Sequence, residues 1–258
     1  MAKIEPKLLR KAQLIMLDML VEFDAICKKN NFKYWLDSGT LLGAVRHEGF
    51  IPWDDDIDLS MPVEDYNKFM EIAKNELSSD IFFQTSKTDP AFKFDYIKLR
   101  SNRAKIVEFH EKDREIAYHQ GVFVDIFPML TLPNSSFHEK FYDGIFKFIR
   151  SVSSVSLHTP KGADLPETRK KLLDALALMH QGFEKSDTKV IYGGEMPDVA
   201  AWFDHGKIFP LKRMMFEGLE FSVPNDPSHY LDSIYTFNYR ELPPVEMRST
   251  HADAIFFN

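Results

Sequence analysis

The chain has 258 residues, 44% of them hydrophobic and 28% charged, a globular composition that argues against a disordered polymer. Its net charge of −7 and pI near 5.7 argue against a non-specific nucleic-acid binder, whose footprint is basic. The single cysteine, Cys27, leaves no internal disulfide and no cysteine-based zinc site.

In chain order, the N-terminal residues mix charges and show no long apolar stretch, and nowhere does an uncharged apolar run approach 18 residues. The expectation is therefore a cytoplasmic protein without a secretory signal or membrane-spanning helix, with peripheral contact at the inner face of a membrane left open. Residues 6–29 read as a helix, with Leu8, Ala12, Ile15, Met19, Phe23 and Ile26 at steps of three and four and Pro6 in the first turn. "NNF" at 30–32 stops it. "YWLDSGTLLGAV" predicts a short strand or turn and then a short helix near 40–46, and "DIDLSM" a strand. Residues 62–77 read as a helix opened by Pro62, with Glu64 and Asp65 in its first turn.

Strand-like runs follow at 81–85, 94–100 and 121–127, the last ended by Pro128. From about 135 to 185 the pattern is helical, with "HTPKGADLP" as a loop. "KIFPL" and "LEFSVP" read as strands, "HYLDSIY" as a short helix, and "ELPPVEMRSTH" as a tail without periodicity. The order predicts an α+β fold, a mixed sheet carrying a helical insertion. The expected divisions are a catalytic core at 1–132, a helical insertion at 133–190, and a C-terminal segment at 191–258 that packs back on the core and completes the substrate site.

The stretch "IPWDDDIDL" crowds Asp54, Asp55, Asp56 and Asp58 beside apolar residues. Strand side chains alternate, so Asp56 and Asp58 share one face while Ile57 and Leu59 take the other. Two carboxylates so close repel unless something neutralises them, and a divalent cation does so. Asp125 stands in the middle of "VFVDIFP", where an unpaired charge is costly. If that strand lies beside 56–59, three carboxylates converge on one or two metal ions. A solvated acidic turn is the simpler alternative for the run taken alone. An EF-hand is rejected, because its sixth position is Leu59 rather than Gly and its twelfth is Asp65 rather than Glu. Upstream, Ser38, Gly39 and Thr40 form a small-residue turn before a helix, which suits a phosphate facing backbone N–H groups and hydroxyls.

A turn of this kind, a two-Asp strand and a third Asp on a later strand resemble the nucleotidyltransferase superfamily. "YWLDSGTLLGAVRHEGFIPWDDDIDLSMPVEDY" is similar to the signature of the LicD family, the phosphocholine transferases of bacterial surface glycans and relatives of fukutin-related protein. "YIKLRSN", "HQGVFVDIFPM" and "LPPVEMRSTH" continue the likeness. Arg103–Ala104 and "YTFNY" at 235–239 depart from the family pattern, and the cysteine cluster of the animal relatives is absent.

The resemblance implies a nucleotidyltransferase-like core with Asp56, Asp58 and Asp125 as catalytic metal carboxylates. It also implies Mg²⁺, one ion or two, with Mn²⁺ as the substitute. The expected reaction moves phosphocholine from CDP-choline, or a similar cytidine diphosphate donor, to a sugar hydroxyl of a glycan or lipid-linked acceptor, such as a precursor of teichoic acid, lipopolysaccharide or capsule. The rivals are transfer of a nucleotidyl or polyol phosphate group at the same site, and a non-catalytic binding module.

Arg46, Lys98, Arg100 and Arg248 are the expected phosphate contacts, against surface solubility or pairing with the acids. His119 and His251 rank above His47 as substrate-binding histidines. Among Tyr34, Trp35, Trp53 and Trp202, Trp53 is the favoured aromatic face for a quaternary ammonium, with Asp54 or Asp55 complementing its charge.

Overall fold

A computed structural model describes residues 4–92, 94, 96–156, 187–193, 201–236 and 238–257. Helix α1 spans Pro6–Asn30 and ends where Asn31 adopts a left-handed conformation (φ 56°), its N–H returning to the carbonyls of Cys27 and Lys28. Its inward stripe runs through Leu9 rather than Leu8, then Ala12, Met16, Met19, Phe23 and Ile26, and packs across the central strands. β1 (Trp35–Leu36), α2 (Ser38–His47), β2 (Asp58–Pro62) and α3 (Val63–Glu76) follow. α3 buries Tyr66, Phe69 and Ala73 and carries Glu64 and Asp65 where the helix N-terminus favours negative charge.

The sheet is built on β5 (Gly121–Pro133), which pairs in parallel with β2 and antiparallel with β4 (Ile97–Glu108). β4 shares its far edge between β3 (Ile81–Gln84) and β10 (Ala252–Phe257), and β1 closes the opposite side. β6 (Thr188–Tyr192) joins the distal half of β5, and β7 (Trp202–Asp204) joins β6. The chain is therefore α+β, with a mixed sheet.

Pro128 does not end its strand. Asp125 donates its N–H to Ile57 on the β2 side, so alternation aims position 128 the other way, where β4 has stopped at Ile126 and β6 starts at Met129. The missing N–H falls in that gap, and Gly193 donates to the Pro128 carbonyl.

α4 (Ser136–Ser156) covers the far end of β5 through a small separate cluster of Leu130, Leu132, Tyr142 and Ile191. The helix expected near 166–183 and the loop at 158–166 lie outside the described residues. "KIFPL" is not a strand: α5 (His205–Ile208) takes its first two residues, and the strand that follows is β8 (Lys212–Phe216), hairpin partner of β9 (Leu219–Val223). α6 spans Pro227–Ile234. The tail contains a 3-10 turn at Val245–Met247 and ends in β10, so the C-terminal residues form part of the core sheet. Among the described residues, no helix is long and apolar enough to cross a membrane.

Candidate active site

The register of the parallel pair sets the site. Asp58, the first residue of β2, stands directly beside Asp125 of β5. Burial alternates through the preceding segment: Asp54, Asp56 and Asp58 are partly exposed, while Asp55, Ile57 and Leu59 are buried. The alternation read from the sequence therefore extends one step upstream. Asp54 shares the open face with Asp56 and Asp58, and Asp55 points the other way.

Asp125 is 6% exposed. Its Oδ2 accepts from Nζ of Lys98, its cross-strand partner on β4, at 2.7 Å. Its Oδ1 is buried and has no hydrogen-bond partner among the described residues. Buried carboxylate oxygens are normally satisfied, so this one is left available to a cation or a proton. Burial pushes Asp54, Asp58 and Asp125 above the usual carboxylate range, and neighbouring acids add to the effect at Asp54 and Asp58. Asp56 is pushed up to about 6 by burial, with Asp55 and Asp125 adding repulsion. Four crowded carboxylates with an orphaned oxygen fit a divalent cation, which removes the repulsion and favours oxygen ligands.

Ligand atoms of Asp55, Asp56 and His251 lie within 4.8 Å of one another, whereas Asp56, Asp58 and Asp125 do not form so tight a group. The tighter trio is a poor metal site. Both Asp55 oxygens are engaged, Oδ1 by the backbone N–H and Nδ1 of His251 and Oδ2 by the N–H of Ala252. His251 is pushed up to about 9, chiefly by its hydrogen bond to Asp55, so it carries a proton at neutral pH. Asp55 is thus a latch holding the start of β10, contrary to its expected place beside a substrate. The His251 ring reaches 3.5 Å from Asp56 and brings positive charge to the open face. In the expected trio, Lys98 engages one oxygen of Asp125.

The Ser38–Gly39–Thr40 turn is in place, with its hydroxyls differently employed. Thr40 is buried, and its Oγ1 accepts the N–H of Asp58 at 2.9 Å, tying the turn to the acidic strand. A Cβ on Gly39 would lie 2.9 Å from Oδ2 of Asp54, so the glycine admits that carboxylate to the turn. Arg46 donates to the carbonyls of Tyr239 and Glu241, and its Nε to the His47 ring, so it supports the C-terminal segment.

The Arg248 guanidinium lies over the Trp53 ring, 4.6 Å from its centroid, and donates to Pro243 O. Arg46 and Arg248 are near enough to repel, and neither has a carboxylate partner among the described residues. Arg100 spends its donors inside the core rather than on the open face: it is 1% exposed, bonded to Gln84 and to the Gly121 carbonyl, and reaches Asp125 only through its charge. His119 stacks on Phe82, accepts from Gly121 N and meets Asn102, at the start of β5. Gly121 and Asp125 are four residues apart, about 13 Å at strand spacing. Trp35 and Tyr34 are core residues, and Trp202 packs on Tyr142 away from the acids.

The sequence reading missed three groups. Asp37 is fully buried behind the turn and caps α2 by accepting from Ser38 N, a role legible in an Asp just before a helix. Tyr96 lies near Asp125 and Asp58, and Tyr235 near Asp58 and Asp54; burial first, and then these acids, push both phenols up. Tyr96 opens the "YIKLRSN" run and Tyr235 the "YTFNY" run, but nothing in either run marks its tyrosine as a neighbour of the acids.

Residues 31–151 match the LicD/FKTN/FKRP nucleotidyltransferase domain. The chain is 35% identical over 127 residues to the lipopolysaccharide cholinephosphotransferase LicD of Haemophilus influenzae, covering 49% of this chain and 46% of that protein. It is 47% identical over 62 residues to an uncharacterized protein of Rickettsia typhi, 24% of this chain and 20% of the other. Human ribitol 5-phosphate transferase FKRP is 34% identical over 68 residues, 26% of this chain and 14% of its own length. The chain spans less than half the length of each of these relatives.

Proposed function

We propose, for a chain whose residues 31–151 match the LicD/FKTN/FKRP nucleotidyltransferase domain, that it transfers a phosphate-linked group from a cytidine diphosphate donor to a sugar hydroxyl of a glycan precursor. In its most specific form the group is phosphocholine and the donor CDP-choline, the acceptor being a cell-surface glycan or lipid-linked sugar met at the inner face of the membrane. The observation that carries this reading is the buried, unpartnered Oδ1 of Asp125 beside Asp58. A non-catalytic module gains nothing from leaving that oxygen unsatisfied.

Asp56, Asp58 and Asp125 would hold Mg²⁺, one ion or two, or Mn²⁺. When bound, the metal would supply charge neutralisation of the diphosphate and a lowered pKa for the acceptor hydroxyl. Lys98 fixes Asp125 through Oδ2, which leaves Oδ1 to meet the cation or take the acceptor proton. Asp54 shapes the turn at Gly39, and the backbone there faces the donor phosphates. Arg46, Arg248 and protonated His251 place positive charge where the leaving nucleotide gains negative charge.

A ligand that binds only the folded state stabilises it by about 2.7 kcal/mol at 100 times its dissociation constant. For a domain of this size that is on the order of 5–10 °C in melting temperature. CDP-choline with Mg²⁺ is expected to give such a shift, and CDP-choline with chelator a much smaller one. A shift as large under chelation would exclude the metal-held diphosphate.

One observation favours polyol phosphate as a second reading: Arg248 already occupies the Trp53 face that a choline headgroup would need. If choline displaces it, Trp53→Ala should weaken CDP-choline by about 2- to 30-fold, the range of a cation–π contact, with CDP weakened far less. Trp53→Phe should keep part of the difference. Equal losses for both ligands would remove Trp53 from any choline box, and a larger melting shift with a CDP-polyol than with CDP-choline would select the polyol reading.

A further inference from the structure

The proposed chemistry leaves one fully buried carboxylate without a role. Asp37 sits between β1 and α2, is 0% exposed, and touches the catalytic edge at two backbone points. Its N–H donates to the Asp58 carbonyl at 2.9 Å, and its Oδ1 accepts from Ser38 N at 2.6 Å. Ser38 holds a left-handed backbone (φ 44°), a conformation that needs support in a residue with a Cβ, and the Asp37 carboxylate is that support. Thr40, two residues on, returns to the N–H of Asp58. The turn and the acidic strand are thus pinned on both sides of Asp58, from one short segment.

The rest of the Asp37 carboxylate faces other parts of the chain. Oδ2 accepts from Ser60 Oγ on β2, and Oδ1 accepts from Tyr192 OH at 2.7 Å and Tyr230 OH at 2.8 Å. The two phenols are 2.9 Å apart. Tyr192 ends β6 and Tyr230 lies on α6, stacked on Phe203 with ring centroids 4.1 Å apart. Both lie outside residues 31–151, so the matched domain does not contain everything that shapes its own edge. A hydrophobic core would not need this: a buried carboxylate is costly unless its hydrogen bonds fix something.

We infer that Asp37 is a positioning residue, which sets the Ser38–Gly39–Thr40 turn and the Asp58 edge in one geometry and makes both depend on Tyr192 and Tyr230. The inference rests on the metal reading above. Groups that orient metal ligands cost about 10- to 100-fold in metal affinity when removed. The test is Mn²⁺ titration by electron paramagnetic resonance on the full chain, with melting temperature measured on the same samples without metal. Asp37→Asn should weaken Mn²⁺ at least about tenfold. Because that variant risks misfolding, Tyr192→Phe and Tyr230→Phe carry the decision: each keeps its ring and loses one donor. Each should weaken Mn²⁺ several-fold while melting within a few degrees of wild type. Mn²⁺ binding unchanged in both Tyr→Phe variants, whatever their melting temperatures, would overturn the inference alone. Wild-type protein that binds no Mn²⁺ would overturn the metal reading and this one together.

Discussion

Asp56→Asn and Asp58→Asn are expected to abolish transfer and, in chelator, to melt at or above the wild-type temperature. The activity loss should be at least about 10³-fold, roughly 4 kcal/mol of barrier, because these carboxylates hold the ion that neutralises the diphosphate. The stability effect has the opposite sign because Asp54, Asp56 and Asp58 crowd one face, and removing one charge relieves the other two; at Asp56 the relief is smaller, because that carboxylate also attracts the His251 ring at 3.5 Å. Asp125→Asn should be equally inactive but less stable, since Lys98 is 5% exposed and would lose its carboxylate. Breaking a buried pair from one side costs about 3–5 kcal/mol. Parallel activity and melting measurements on the three variants check this. Asp58→Asn protein that melts several degrees below wild type, or that stays active, would contradict it.

Asp55→Ala is expected to behave in the reverse way to its neighbours. It is the buried member of the acidic run, and it accepts from His251 N and Ala252 N. Its removal strands two backbone donors, at about 1–3 kcal/mol each. The melting temperature should fall by roughly 4–24 °C at the usual 2–4 °C per kcal/mol. β10 pairs with β4 immediately after this latch, so hydrogen exchange should quicken at 252–257 before the rest of the sheet. Asp55→Ala protein that melts within a degree of wild type would show that the latch contributes nothing. Neighbouring aspartates with opposite stability effects would be hard to reconcile with a solvated acidic turn.

What could be read in the sequence was local. α1, α2 and α3 announce themselves by periodicity and by Pro6, Pro62 and the Asn31 stop. The acidic edge was legible because alternation needs only adjacent residues, and Asp125 because a lone acid in an apolar strand asks for a partner. The misreadings are nonlocal. "ELPPVEMRSTH" is as aperiodic as it reads, but the strand just beyond it, β10, went unread because it forms on the edge that β4 offers about 150 residues upstream. "KIFPL" has strand composition, yet its first two residues end a short helix and Pro210 follows.

Likewise, nothing near Arg100 in the chain shows that it will spend its donors on Gln84 and Gly121, or that Arg46 will hold the carbonyls of Tyr239 and Glu241. The residue types suited phosphate, but distant partners engage their donors, so Arg46 keeps only its unpaired charge for the site. Asp37 is the intermediate case. Its capping of α2 follows from its position before Ser38, while its two tyrosine partners appear only when β6 and α6 fold onto the edge.

The central claim is that metal held on the Asp56–Asp58–Asp125 edge drives departure of a nucleotide from a cytidine diphosphate donor. The most direct measurement is CMP release from CDP-choline and a CDP-polyol, with a sugar acceptor, in Mg²⁺ and in excess chelator, for wild type and Asp58→Asn. CMP release is expected from wild type in Mg²⁺ with at least one donor, and none above background in chelator or in Asp58→Asn. Release at an undiminished rate under chelation, or from Asp58→Asn, would contradict it.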